Sequence, residues 1–337
     1  MKKTKIIIAV VAVLVVAVIA AVAVPLLMEE KVPEGMVKVW LVESAETKNG
    51  VGYTYEYDEQ GNLTAEIKSN SYKFSYDEDG NRIQEAYFTF IDNIQQQIDY
   101  IYDDNGKIIK EIYTFDDGRN WEAEHIYDES GLLIKTTGTQ PNVKGATLYE
   151  YNSDGKLILR YVEGDAEDKT EYTYDEKGNL IKQTDFSDGK EVYRNEYKYD
   201  EKNRVIEKNS IYATDYYDCY IYGYDEADRI ISEKKYSCSV GEEAVGEPYY
   251  QVVNKYDENG LKLSMEETDS YDTYVTDFVY NKEGRLTKIK RIDSALGNSK
   301  CKYTSVIVTP EQAEKIKTSQ KMIYDELVYD DVIIIEQ

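Results

Sequence analysis

Tyr174-Asp175-Glu176-Lys177-Gly178-Asn179-Leu180-Ile181 is the stretch whose reading decides the fold. An Asp after an aromatic residue can accept backbone N–H bonds and open a type I turn. Glu176 and Lys177 occupy the centre of that turn. Gly178 then takes a left-handed position, the bulge that restores strand twist, and Leu180 and Ile181 start a return strand. Eight residues thus specify a β-hairpin.

Working outward, Tyr followed by Asp or Asn recurs at Tyr57, Tyr76, Tyr102, Tyr127, Tyr151, Tyr174, Tyr199, Tyr224, Tyr256 and Tyr280. The spacings run from 19 to 32 residues and mostly lie in the mid-twenties, the mark of a repeat architecture. Four residues after each Tyr stands Gly, except at Asn203 and Asp228. Those are the residue types that best tolerate a left-handed backbone after Gly, so the slot requires positive φ. Apolar residues resume at Leu63, Ile108, Leu133, Leu157, Leu180, Val205, Ile230 and Leu286. Before the turn, Tyr53, Tyr55 and Tyr57 alternate with Thr54 and Glu56, and Tyr220, Tyr222 and Tyr224 repeat the pattern. Period two with rings on one side describes a half-buried strand. The expected fold is therefore all-β, about ten antiparallel hairpins stacked as a meander or solenoid, with the rings in rows.

The pattern Y-x-Y-D-x-x-G-x-L, as in Tyr172 to Leu180, resembles the YD repeat of the RHS and teneurin-like family over roughly residues 50 to 290. That resemblance implies a β-shell, which in large members encloses a C-terminal toxin or other cargo. About ten repeats are expected to be too few to close such a shell, and the tail after Cys301 too short for an enzyme domain. Toxin delivery is not carried over. Cell-wall-binding choline repeats read similarly, but they hold periodic tryptophans. Here Trp40 and Trp121 do not recur.

Composition sets further bounds. The chain has 65 Asp and Glu against 40 Lys and Arg, a net charge of −25. The first 30 residues hold three lysines and two glutamates, so the remainder stands at −26. Such a surface repels phosphate backbones and disfavours nucleic acid. Lys2, Lys3 and Lys5 precede an uncharged run, Ile6 to Met28, which Glu29 and Glu30 close. At ~1.5 Å per residue a helix of that length spans a bilayer core. The expectation is an N-terminal transmembrane signal-anchor at residues 1–30, with the body outside the cell. Ala21-Val22-Ala23 keeps a cleaved signal peptide and a secreted body as the alternative. The repeat domain is expected over 31–300 and a helix–strand cap over 301–337. Within that cap, Thr309-Pro310-Glu311-Gln312 is a helix start, a helix to about Met322 follows, and Tyr329 to Glu336 reads as a strand.

The search for chemistry is mostly one of exclusion. His125 is the single histidine and occupies the ring slot two residues before Tyr127, so it reads as a ring replacing a ring. A hydrolytic triad or His-based zinc site lacks its parts. Carboxylates clustered near a Gly at Tyr76 to Asn81 and Tyr102 to Gly106 raise calcium binding, but turn initiation accounts for each Asp. Cys219, Cys238 and Cys301 offer no metal spacing; Cys219 and Cys238 could face each other across one hairpin, though the centre between them falls slightly past the turn. No catalytic residue, metal or cofactor is expected. The candidate binding face is Tyr55, Tyr57, Tyr100, Tyr102, Tyr149, Tyr151, Tyr172, Tyr174, Tyr197, Tyr199, Tyr222 and Tyr224. The expected function is a non-catalytic cell-surface scaffold binding wall glycan or a protein partner. The alternatives are a carbohydrate-active enzyme with unidentified carboxylates and a purely structural spacer.

Overall fold

The computed structural model describes residues 32–328, apart from connections at 48–51, 69, 90–92, 139–144, 213–215, 240, 242–243, 245 and 293–297. The expected N-terminal transmembrane helix and the expected last strand, 329–336, lie outside the described residues. Among the described residues no helix is long and apolar enough to cross a membrane.

All ten predicted turns form as read. In each, the residue after the Tyr donates its N–H to the carbonyl four residues on and accepts the N–H of the glycine slot three residues on. The Asp175 carboxylate accepts the N–H groups of Lys177 and Asn179 at 2.9 and 2.8 Å, and the Asn179 side chain at 2.9 Å. Those donors, Asn179 first, hold its carboxyl below the usual range. Asn203 and Asp228 sit at φ 62° and 63°, the left-handed conformation the sequence required of them. The return connection from Phe186 is just as local: Asp188 and Gly189, φ 49° and 69°, make a two-residue turn whose twist matches its strands.

The strands join into one antiparallel sheet of 22 strands. Its first members are β1 (Val37–Thr47), β2 (Gly52–Tyr57), β3 (Leu63–Ile67), β4 (Asn70–Tyr76) and β5 (Arg82–Thr89). Its last are β18 (Tyr250–Tyr256), β19 (Lys262–Asp269), β20 (Thr273–Tyr280), β21 (Leu286–Ile292) and β22 (Ser299–Val308). Each strand pairs with its sequence neighbours, and β22 then pairs with β1 from Val37↔Val308 to Thr47↔Ser299. The sheet is therefore a closed barrel, which corrects the expectation that ten repeats are too few to close. The two flanking strands β1 and β22 lie outside the Tyr-Asp repeat and supply the missing pairing. Closure removes both edges, whose unpaired N–H and C=O groups would otherwise recruit another chain. β22 also runs across the expected boundary at residue 300 and is a strand of the wall.

The tail departs from the reading in place more than in kind. The helix α1 spans Pro310–Val328, longer than expected, because Ile323, Leu327 and Val328 extend its apolar stripe. Its start is the predicted capping box: Gln312 N–H donates to Thr309 Oγ1 at 3.2 Å, and Thr309 N–H to Gln312 Oε1 at 3.1 Å. It does not cap an open end, since closure leaves none. One buried cluster joins Ile323, Leu327 and Val328 to residues of eight consecutive strands, from Val252 on β18 round to Leu63 on β3. A straight helix reaches that many strands only from a concave surface, so α1 lies inside. The face it covers is the one bearing Tyr55 and Tyr57, so the tyrosine face is the lumen wall. On the opposite face, ion pairs such as Lys110–Glu122 and Lys198–Glu207 link neighbouring strands, at 2.5 and 2.8 Å. A round section of 22 strands is roughly 35–45 Å across, against about 10–12 Å for a helix. The helix therefore fills one sector only.

The choice of Tyr over Phe has a direct cause. Each of the ten repeat tyrosines donates its hydroxyl to a main-chain carbonyl, at 2.6–3.1 Å. In nine the acceptor is the first return-strand residue of the preceding hairpin, as in Tyr174 to Leu157 at 2.8 Å; in the tenth, Tyr57, it is Val42 on β1. That residue sits at the register shift where a bulge interrupts the ladder, as at Tyr151↔Leu157. The ring thus reaches a main-chain carbonyl beside the bulge and ties each hairpin to the one before it.

Replacing Tyr174 by Phe keeps the ring but orphans the Leu157 carbonyl, and is expected to cost about 1–3 kcal/mol. Tyr149→Phe, at a slot that Phe74 and Phe278 already fill in other repeats, is expected to cost less than half of that. Equilibrium denaturation of the two variants measures the difference, and equal losses would remove the ladder's role.

Candidate functional site: the tyrosine wall and the seat of the helix

The twelve candidate tyrosines all lie on the lumen wall, in three different conditions. Tyr57, Tyr102, Tyr151, Tyr174, Tyr199 and Tyr224 have their hydroxyls engaged in the carbonyl ladder. Tyr55 and Tyr222 are 2 % and 6 % exposed, and burial raises both phenols far above the usual range. Tyr100, Tyr149, Tyr172 and Tyr197 are half-buried, with burial pushing Tyr100 and Tyr197 up to about 12. Rings in this last group retain surface toward the lumen.

His125 occupies the expected ring slot, with Nδ1 3.1 Å from Thr136 Oγ1 and Nε2 3.6 Å from Glu111. Cys219 and Cys238 share the hairpin of β16 (Tyr216–Tyr224) and β17 (Ile230–Ser239), but they are free thiols. The register sets Cys219 opposite Tyr236 and Cys238 opposite Tyr217, so they stand diagonally rather than face to face. Among the described residues no group of three His, Cys, Asp or Glu is placed to hold a metal. The lysines of the turns are more than a solvated face. Lys156 lies 5.2 Å from the Tyr174 ring and donates to Gly178 O at 2.6 Å, and Arg229 spans Tyr256 and Asp257 O in the same way. Each such cation ties one turn to the next.

Sequence reading missed the seat of α1. Ile316, Ile323, Leu327 and Val328 are buried against the wall, about 1.5–3 kcal/mol apiece as an upper range. Polar contacts fix the position. Val42 N–H donates to Gln320 Oε1 at 2.7 Å, Gln320 Nε2 donates to the Tyr57 hydroxyl at 3.1 Å, and that hydroxyl donates to Val42 O at 2.7 Å. Burial pushes the Tyr57 phenol up to about 12. The Tyr324 hydroxyl meets that of Tyr280. Lys68 bridges Glu66 and Glu326 at 2.6 and 2.8 Å. Lys262, 1 % exposed, donates to Val328 O at 3.2 Å, a cation at the helix C-terminus where the last carbonyls lack partners. The signal was present in the repeat. In the apolar restart slot only Arg82 and Lys262 are charged, and both lie at the helix seat. Between α1 and the turn ends of β2 to β5, Arg82 included, lies a cavity of about 750 Å³.

The family model of the teneurin YD shell matches residues 83–193.

Over those residues the repeat is that of the RHS/YD-repeat family.

Among solved structures, the crystal structures of TcdB2-TccC3-TEV and TcdB2-TccC3-Cdc42 are similar at 13 % identity, with TM-scores of 0.42 and 0.41. They cover 81 % and 80 % of this chain, which spans only 17 % and 16 % of theirs. A porin-like protein from Bacteroides uniformis is similar at 12 % identity and TM-score 0.27, over 80 % of this chain and 96 % of that one. A comparison with curated proteins gives no match. In this chain the wall is closed around its own helix.

Lys262→Met keeps the side-chain length and removes the hydrogen bond to Val328 O, with an expected loss of roughly 1–3 kcal/mol in helix docking. Tryptic cleavage after Lys315, Lys317 and Lys321 is expected to rise several-fold while the β signal in far-UV circular dichroism stays. Unchanged cleavage would show that apolar contacts alone seat the helix.

Proposed function

We propose that this chain is a non-catalytic shell whose tyrosine wall holds polypeptide, beginning with its own C-terminal helix. The observation that supports the reading is the seat of α1: a helical segment bound to the lumen wall by apolar burial and by side chains that depart from the repeat. The half-buried rings of Tyr100, Tyr149, Tyr172 and Tyr197 offer the same combination of ring and hydroxyl around the rest of the wall. A polypeptide suits them better than a wall glycan, because they face the lumen and an extended surface polymer meets the outer, charged face first. The non-catalytic reading rests on the YD-shell match and on the structural use of the rings and turn carboxylates. The family resemblance adds that such shells enclose a segment of polypeptide.

The test displaces the helix in the full chain. With Ile323→Asp and Leu327→Asp together, a labelled peptide of residues 309–328 is expected to bind the emptied wall saturably by fluorescence anisotropy. The unmodified chain, its seat filled, is expected to bind at least tenfold more weakly. Loss of the β signal in the double variant would instead make the helix part of the folding core, and the holding function would fall.

We further propose, from the sequence, that Ile6 to Met28 tethers this shell to a membrane with the barrel outside. The full-length chain is then expected to stay with membranes through a carbonate wash, with Lys2 to Lys5 detectable by mass spectrometry. A mature N-terminus at Val24, with the protein free in the medium, would replace the tether by secretion.

A further inference from the structure

The cavity beside α1 is not explained by shell closure or by the seating of the helix. Its volume of about 750 Å³ lies within the range of small-molecule sites. Apolar surface comes from Leu63 and Phe74 on the wall and from Ile316, Met322 and Ile323 on the helix. Met322 is 66 % exposed there, an unbranched and polarizable side chain left without cover at the edge of an apolar hollow. Nothing in the packing of α1 requires a methionine at that position, since the helix is held by its other face.

The charges around the hollow are unbalanced. Glu66, Glu78, Asp79, Asp325 and Glu326 line it, against Arg82 and Lys315. Arg82 is already committed: its guanidinium lies 4.2 Å from the Phe74 ring and 2.9 Å from Glu85. Glu66 and Glu326 share a single cation, Lys68. Burial raises the Glu66 and Asp325 carboxyls above their ordinary values, with Lys68 beside the first and Lys321 and Lys262 near the second. An apolar hollow whose lining carries more carboxylates than cations is complementary to an apolar body carrying a positive charge.

We propose that this cavity binds a small organic cation, an amine on an aromatic or aliphatic body, with its apolar part against Phe74 and Met322 and its ammonium between Glu66, Asp325 and Glu326. The Phe74 face, which already holds one cation in Arg82, adds a favourable surface for a second. This inference depends on the position of α1 and not on whether the rest of the wall holds polypeptide. It can fail while the shell function stands.

The probe is dansylcadaverine, a naphthalene sulfonamide bearing a primary amine, and its control is the carboxylate analogue dansyl-6-aminohexanoate. Both are titrated into the full chain by fluorescence at about 0.15 M salt, where attraction to distant surface carboxylates is screened. Saturable binding of the amine at one site per chain is expected, with the carboxylate at least tenfold weaker. Met322→Lys, at an exposed position that leaves the fold intact, is expected to weaken the amine at least tenfold. The paired change Glu66→Gln and Glu326→Gln should do the same. Equal affinity for the two probes would overturn the proposal. So would an amine affinity that neither Met322→Lys nor Phe74→Ala changes, because the cation would then be held by the acidic surface at large.

Discussion

One hydrogen bond, from a tyrosine hydroxyl to the carbonyl of the previous hairpin, organises this protein. A hairpin with a left-handed residue in its turn needs a bulge to recover strand twist, and a bulge leaves a carbonyl without a strand partner. A buried, unpaired carbonyl costs on the order of 1–3 kcal/mol. The next repeat's ring reaches back to it, so each hairpin is completed by its successor. This accounts for a tyrosine at all ten repeat positions, since a phenylalanine would fill the space and leave the carbonyl. It also gives the array a direction, because every donor lies C-terminal to its acceptor.

A directional array has one unsatisfied end of each kind, and the barrel closes where those ends meet. Tyr57 has no preceding hairpin and finds the carbonyl of Val42, at a register shift in β1. Leu286 has no following Tyr-Asp unit, and a main-chain hydrogen bond links it to Tyr303 on β22 instead. β1 therefore acts as a half-repeat that presents the expected acceptor without the turn, and β22 lies beside it. Their pairing seals the wall, and the chain then reverses at Thr309 to send α1 back along the inside.

The hairpins were legible because their causes are local. Asp at the turn, a left-handed slot, and alternating rings each act within a few residues, so the ten turns and the strand faces could be read from Tyr174 to Ile181 and its copies. The helix start was legible for the same reason, through Thr309 and Gln312. Closure was not, because it depends on strands 37–47 and 299–308 meeting across the whole array, and neither carries the motif. The inward direction of the tyrosine face follows only from closure. Six of the twelve candidate tyrosines accordingly spend their hydroxyls on the backbone of a neighbouring hairpin or strand, which alternation alone does not reveal.

What the sequence did record of the site was written as exceptions. In a repeat the consensus residue serves the wall, which is common to every copy, so a charged residue in an apolar slot needs a partner that the other copies lack. Lys262 has one in the carbonyl at the end of α1, and Arg82 lies where the wall meets the hollow beside that helix. A charge as buried as Lys262 costs several kcal/mol unless it is paired, and the carbonyl at the helix end pairs it; Arg82, its side chain 41 % exposed, is held by Glu85 and the Phe74 ring. The two exceptions flank the same nineteen-residue helix from opposite sides, which ties the individuality of this barrel to the segment it encloses.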